Sequence, residues 1–112
     1  MGSDELIDIK ELRALAEATS NIVMTSHANA QCTERLIDSS DILEALLHGE
    51  IIEEYPNDYP YPSCLLLSFS KSGKPTHVCC GIGDGKIYII TAYHPTTEKW
   101  EEDMKTRKAV KK

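Results

Sequence analysis

Long apolar runs are missing from this sequence. The longest cover residues 64–67 and 87–90, whereas a membrane-spanning helix needs about 20 consecutive apolar residues. The N-terminus also lacks the basic start and the apolar stretch of a signal peptide. Both absences predict a soluble cytoplasmic protein without a membrane partner.

Metal-binding and common catalytic motifs are missing as well. The four cysteines form no C-x-x-C pair, and the glycine-rich run 81–85 lacks the Lys-Ser/Thr ending of a phosphate loop, so it predicts a hairpin turn. We expect reduced, mostly buried thiols, no metal and no cofactor. A thiol enzyme that uses Cys79 or Cys80 stays an alternative, although no basic residue close in sequence would lower a thiol pKa there.

The chain is short of positive charge. It has 12 Lys and Arg against 18 Asp and Glu, a net charge of −6, which argues against simple nonspecific binding of nucleic acid. The distribution is uneven, because residues 1–54 carry 12 acids and 3 bases, whereas residues 55–112 carry 6 acids and 9 bases. Five of these bases lie in a C-terminal tail over residues 105–112.

What the chain does have is a globular composition, with 41% hydrophobic and 27% charged residues in 112. This length predicts a single domain over residues 1–112. The patterning predicts an α+β fold, in which N-terminal helices pack on a three- to four-stranded antiparallel sheet and a short C-terminal helix is anchored by Trp100. Helices are expected over 5–18, 26–36 and 40–48 and strands over 63–70, 76–82 and 86–93, while 50–54 can extend and 22–25 is either an edge strand or the lead-in to a helix.

Polar residues recur at a helical spacing in the second predicted helix. His27, Gln31 and Arg35 lie four residues apart and therefore form one stripe. A solvated helix face explains this spacing. The alternative is a site, because a histidine and an arginine lie on a helix that has few large apolar residues to bury.

Three further residues have both a structural and a chemical interpretation. His77 lies in an otherwise apolar predicted strand, where a hydrogen-bonded structural role competes with proton transfer. Tyr93 lies near the end of the next strand, where packing is the usual role of a tyrosine. Arg107 belongs to the basic tail. His48 and His94, beside Gly49 and Pro95, show no comparable pattern and are not assigned a role.

Several short segments together resemble the pattern of a bacterial and archaeal family of uncharacterised small proteins. The resemblance covers about residues 20–108. The segments that carry it are Ser26-His27-Ala28, Glu34-Arg35, Gly49-Glu-Ile-Ile-Glu-Glu-Tyr-Pro56, Tyr61-Pro-Ser-Cys-Leu65, Lys74-Pro-Thr-His-Val78, Ile90-Thr-Ala-Tyr-His-Pro95, Trp100-Glu101 and Lys105-Thr-Arg107.

This resemblance implies a RelE-like fold, the fold of metal-independent RNA endonucleases that include barnase and toxin relatives. It also implies a partner, a small zinc-finger antitoxin-like protein encoded nearby. Two positions depart from the family pattern, since Gln31 stands where members usually have arginine and Leu36 where they usually have glycine. The first departure removes one cation from the helix stripe.

On this resemblance we expect a toxin-type endonuclease that cleaves RNA by attack of a 2′-hydroxyl. Such a reaction needs a base, an acid and cations near the phosphate. His27 and His77 are the candidates for proton transfer, Arg35 and Arg107 for holding the phosphate, and Tyr93 for orienting a hydroxyl or stacking on a base. All five should then open onto one cleft at the sheet edge. The alternative, favoured by the lost arginine and the acidic charge, is a non-catalytic binding module of the same fold that acts through protein–protein contact.

Overall fold

The computed structural model of the protein describes residues 6–109. Its α+β class agrees with the prediction from the sequence. The elements in chain order are α1 (Ile9–Ala16), β1 (Ile22–Met24), α2 (Ser26–Arg35), α3 (Ser39–His48), β2 (Glu50–Tyr55), β3 (Ser63–Phe69), β4 (Pro75–Gly83) and β5 (Lys86–Tyr93), with a short 3-10 turn at Thr19–Asn21. None of the helices described is long and apolar enough to cross a membrane.

Polar caps define the starts of helices α2 and α3. At the start of α2, Thr25 Oγ1 accepts the backbone N–H of Ala28 at 3.1 Å. At the start of α3, Asp38 and Asp41 form a reciprocal capping box. Helix α2 ends at Leu36, whose backbone is left-handed with a φ of 58°. Both helix starts therefore lie within one residue of the predicted bounds.

The sheet has five strands in the order β1-β5-β4-β3-β2. The pairs β2–β3, β3–β4 and β4–β5 are antiparallel, whereas β1 runs parallel to β5. The prediction of a three- to four-stranded antiparallel sheet was therefore wrong in strand count and in the direction of one edge strand. The three residues of β1 carry too little periodicity to reveal a partner near the other end of the chain.

A β-bulge determines which residues of β5 face the helices. The register with β4 passes from Ile89 to Thr91 and leaves Ile90 as the extra residue. A bulge changes the alternation of side chains along its strand. Ile89 and Ala92 therefore both belong to the core although they lie three positions apart. Tyr93, next to Ala92, is directed to the opposite face of the sheet.

The main core lies between the helices and one face of the sheet. Leu12 and Leu46 from the helices pack there with Leu66, Val78 and Ile87 from the strands, and all five are fully buried. The opposite face is the one on which Leu65, Leu67 and His77 lie.

The C-terminal segment, residues 95–109, contacts this second face and contains no α-helix, so the predicted C-terminal helix was wrong. One turn, in which the Trp100 N–H donates to the Thr96 carbonyl at 3.1 Å, is followed by an isolated bridge between Trp100 and Arg107. The segment has too few apolar residues for a helical stripe, and the Asp103 carboxylate accepts two backbone N–H groups of the following turn instead. The expected anchoring by Trp100 is confirmed, because its side chain is 3% exposed.

Candidate functional site

A cleft of about 480 Å³ lies where α2, the end of β5 and the C-terminal segment meet. Three distant parts of the chain therefore contribute side chains to one concave surface. The lining residues are Gln31, Arg35, Thr91, Tyr93, His94, Pro95, Thr96, Glu98, Lys99, Trp100 and Arg107.

Side chains of α2 complete the free edge of β5. Strand β1 pairs with β5 only as far as Ile89, so the helix supplies the partners beyond that point. Gln31 Oε1 accepts the Ala92 N–H at 3.4 Å and also accepts the Thr91 hydroxyl. Arg35 Nη1 donates to the Ala92 carbonyl oxygen at 2.7 Å. A guanidinium has five N–H donors, so this one bond holds Arg35 at the cleft and leaves other donors for a ligand.

His77 lies beneath the cleft and not in its lining. Its ring is fully buried, its Nε2 donates to the Met104 carbonyl oxygen at 2.6 Å, and its Nδ1 accepts the Tyr93 hydroxyl at 3.2 Å. A carbonyl oxygen only accepts, so Nε2 carries the proton of the neutral ring. Burial lowers the pKa of His77 below its usual value. His77 is therefore a neutral residue that orients the Tyr93 hydroxyl.

Arg107 is already paired within the protein. Its guanidinium donates two hydrogen bonds to Glu53, at 2.7 and 3.0 Å, and lies over the Trp100 ring at 4.6 Å from the centroid. The Tyr55 hydroxyl donates to the same carboxylate. The hydrogen bond between Arg107 and Glu53 lowers the pKa of Glu53 and raises the pKa of Arg107. Arg107 thus joins the C-terminal segment to β2, and Glu53 offsets its charge.

His94 is a cleft residue that the sequence pattern did not single out. Its Nδ1 lies 3.1 Å from the Pro75 carbonyl oxygen and 3.4 Å from the Thr76 hydroxyl oxygen. Since a carbonyl oxygen only accepts, Nδ1 carries the proton, and Nε2 of the neutral ring remains an acceptor. This is the tautomer of a general base. Its place between Tyr93 and Pro95 at a strand end is the one signal that the sequence offers.

Positive charge collects at the cleft of an otherwise acidic protein. Within the part of the chain that the structure describes, Arg35, Lys99 and Arg107 line it together with one acid, Glu98. When Glu53, the partner of Arg107, is included, three cations face two carboxylates. The cleft thus keeps a positive balance, while the chain as a whole has a net charge of −6.

The five residues predicted to share a cleft divide into three groups. Arg35, Tyr93 and Arg107 line it. His77 supports Tyr93 from below. His27 is exposed on the first turn of α2 and lies outside the lining. The histidine at the cleft surface is therefore His94.

The thiols and the metal-binding side chains form no second centre in the described part of the chain. Between residues 6 and 109, no group of three or more His, Cys, Asp or Glu is arranged to hold a metal ion. The four cysteines are free thiols. Burial raises the pKa of Cys79 to about 11, and a hydrogen bond with Cys64 together with burial raises the pKa of Cys80. Both shifts leave little thiolate for nucleophilic attack.

Comparison with protein families matches residues 24–94 to a domain of unknown function, DUF4258. This match covers more than half of the chain. The chain belongs to the DUF4258 family. Within the DUF4258 match lie Arg35, His77, Tyr93 and His94, whereas the C-terminal segment lies beyond it. Neither the curated proteins nor the solved structures give a match.

Proposed function

We propose that the cleft binds the phosphodiester backbone of single-stranded RNA, and that the protein is a metal-independent endonuclease of the toxin type with a RelE-like fold. The observation that carries the proposal is the position of Arg35, held by the Ala92 carbonyl beside Tyr93 and His94 in a cleft with a positive balance of charge. In this proposal the protein acts in the cytoplasm, and a small zinc-finger antitoxin-like protein binds it.

The proposed reaction is attack of a ribose 2′-hydroxyl on the adjacent phosphate. His94 Nε2 takes the hydroxyl proton while the bond between O2′ and phosphorus forms. The bond between phosphorus and O5′ then breaks, and the leaving oxygen takes a proton from a water molecule. The proton that His94 gives back neutralises the hydroxide left behind. The products are a 2′,3′-cyclic phosphate and a 5′-hydroxyl end. Arg35 stabilises the additional negative charge on the phosphate, and the Tyr93 ring offers a face to the neighbouring base.

Histidine and arginine variants test this assignment on a fluorescently labelled single-stranded RNA in excess EDTA. His94→Ala should lower the cleavage rate by about 10²-fold or more, the usual effect of losing a general base. Arg35→Ala should lower it by about 10²-fold, because a donor to the phosphate is lost. His48→Ala is the matched control, since His48 is exposed at the end of α3 and pairs with Glu44.

His27→Ala separates this assignment from the one suggested by the sequence resemblance. If proton transfer belongs to His94, the His27 variant keeps most of its activity. A loss of cleavage rate as large as that of His94→Ala would instead assign the general base to His27 on α2. Full activity in both Arg35→Ala and His94→Ala would contradict the proposal that the cleft is the site.

A second candidate function is a non-catalytic binding module. Two observations favour it, because Glu53 offsets the charge of Arg107 and Gln31 braces β5 where the resemblance leads us to expect a further cation. Under this alternative, the purified wild-type protein leaves RNA intact and forms a stable complex with the antitoxin-like protein. Cleavage in EDTA by the wild type would exclude it.

A further inference from the structure

A second concave surface lies towards the other end of β5. Tyr59, Tyr61, Tyr88 and Ile90 line a groove of about 440 Å³. The rings of Tyr61 and Tyr88 stack, with centroids 5.5 Å apart and an angle of 15° between their planes. Tyr59 is 91% exposed. We refer to Tyr59, Tyr61 and Tyr88 as the tyrosine platform.

Gly83 of β4 makes room for the Tyr61 ring of this platform, and Gly81 lies close to the backbone of Pro62. A Cβ at Gly83 would lie 2.1 Å from the Tyr61 ring, and a Cβ at Gly81 would lie 3.2 Å from the Pro62 carbonyl oxygen. Neither glycine has a positive φ. The lack of room for a Cβ, and not the backbone conformation, therefore favours glycine at these positions. The Tyr61 hydroxyl also donates to Asp84 at 2.7 Å, which fixes the outer end of the ring.

The platform and the cleft lie along the same strand and on the same face of the sheet. Ile87, Ile89 and Ala92 pack in the core, so their neighbours Tyr88 and Tyr93 are both directed to the opposite face. Tyr88 belongs to the groove and Tyr93 to the cleft. Five residues of β-strand span roughly 15 Å, a distance that a few nucleotides of extended single strand cover.

The lining of the groove suits an uncharged planar group and not a phosphate. It contains tyrosine rings, Ile90 and Pro60. Among residues 6–109, Asp58 is its one carboxylate, and no Lys or Arg lines it. Aromatic faces bind unstacked nucleobases in a sequence-tolerant way. A single nucleic-acid strand therefore fits both surfaces, with its negative phosphates in the cationic cleft and its flat bases in the aromatic groove.

We propose that the tyrosine platform binds nucleobases of a single-stranded RNA whose backbone lies in the cleft. This inference rests on the proposed function of the cleft. It deepens that function by assigning a separate site to the bases of the strand, which only unpaired bases can reach, because the bases of a duplex are stacked on each other. A proline-rich peptide, which also docks on aromatic grooves, is the occupant that the test must exclude.

The test compares the affinity of an RNA dinucleotide with that of an RNA octanucleotide, measured by fluorescence anisotropy in EDTA. The His94→Ala protein is used throughout so that the RNA stays intact. The dinucleotide fills the cleft alone, whereas the octanucleotide also reaches the platform. Adding Tyr59→Ala and Tyr88→Ala should weaken octanucleotide binding by about 5- to 150-fold for each stacked base lost and leave dinucleotide binding unchanged.

Three further variants separate stacking from general damage to the fold. Tyr59→Phe with Tyr88→Phe keeps the rings and should keep the affinity. Phe69→Ala is the matched control, because Phe69 is an exposed aromatic residue at the far end of β3. Gly83→Ala should weaken octanucleotide binding, since the new Cβ displaces the Tyr61 ring.

The outcomes distinguish the platform from the cleft. If the octanucleotide binds equally well with and without the tyrosine rings, the platform inference is overturned while the proposed function stands. If neither RNA binds, both the platform inference and the proposed function of the cleft are contradicted. Equal losses for the two RNAs would also overturn the inference, because the rings would then act through the fold. Binding of a proline-rich peptide that competes with no RNA would assign the platform to a different partner.

Discussion

His77 and His94 show that surroundings and not residue type decide what a histidine does. His77 is buried, has both ring nitrogens in hydrogen bonds, and is held neutral by its burial. His94 lines the cleft with Nδ1 bonded to a backbone carbonyl. The apolar strand around His77 left a structural role open beside the proton transfer that the family resemblance implied, and its burial and two hydrogen bonds are those of a structural residue.

The lowered pKa of His77 predicts how stability changes with pH. The unfolded chain binds the His77 proton at the usual pKa of about 6.5, whereas the folded chain binds it only at lower pH. Between these pKa values the unfolded state holds more protons, so stability rises with pH and is constant above the unfolded pKa. The slope contributed is at most about 1.4 kcal/mol per pH unit.

Urea unfolding of the wild type and of His77→Gln between about pH 5 and 8 measures this effect. Glutamine keeps a donor for the Met104 carbonyl but does not titrate. The variant should therefore lose the part of the pH slope that His77 contributes. Identical slopes would show that His77 is not held neutral by the fold.

At the scale of residues, the sequence identified some of the side chains that line the cleft but not the contacts that hold them. Arg35 and Tyr93 were found from spacing and resemblance, and both line the cleft. The pairing of Arg107 with Glu53 was not predictable, because the bulge in β2 and the path of the C-terminal segment bring them together. His94 was missed for the same reason, since its role depends on a carbonyl from the neighbouring strand.

At the scale of elements, helix α2 ends in a conformation that its last residue does not favour. Leu36 has a φ of 58° and is 88% exposed. The left-handed backbone conformation costs a residue other than glycine roughly 1–2 kcal/mol of conformational free energy. Glycine is the usual residue at such a helix end. The exposed side chain gains little from packing that would offset this cost.

We therefore predict that Leu36→Gly raises the free energy of unfolding by about 1 kcal/mol. Leu36→Ala is the matched control, because it removes the same exposed side chain but keeps a Cβ. The alanine variant should stay close to the wild type in chemical denaturation. Equal stability of the glycine and alanine variants would contradict the assignment of strain to this position.

Most elements could be predicted from local pattern, and the exceptions depended on distant contacts. The stripe Ile42, Leu46 and the cap at Asp38 are local signals, and α3 begins within one residue of its predicted start. Strand β1 is short and acquires its direction only from β5. The C-terminal segment is held by Trp100 and by ion pairs to β2, contacts that no helical or strand period reveals.

At the scale of the whole molecule, charge separation limits how RNA would bind under the proposed function. The chain is acidic overall, but Arg35, Lys99 and Arg107 give the cleft three cations. Release of counterions from a single strand contributes a slope of about −0.7 per neutralised phosphate to log K against log salt. Because Glu53 already offsets the charge of Arg107, we expect a slope of about −1.4 for the two remaining contacts.

Anisotropy titrations of the octanucleotide between about 50 and 200 mM salt measure this slope. Arg35→Ala should make it shallower by about 0.7, whereas the platform variant Tyr88→Ala should lower affinity without changing the slope. A slope several times steeper would indicate that the RNA backbone also contacts cations outside the cleft. An Arg35 variant with an unchanged slope would remove that residue from the phosphate site.

The most direct test of the proposed function is cleavage of one labelled sequence in excess EDTA, offered as RNA and as its 2′-deoxy equivalent. Attack by a 2′-hydroxyl without a metal predicts that the RNA alone is cut and that its new ends are a 2′,3′-cyclic phosphate and a 5′-hydroxyl. Loss of cleavage in EDTA, cleavage of the deoxy strand, or an intact RNA would each contradict the assignment of the cleft as a metal-independent ribonuclease site.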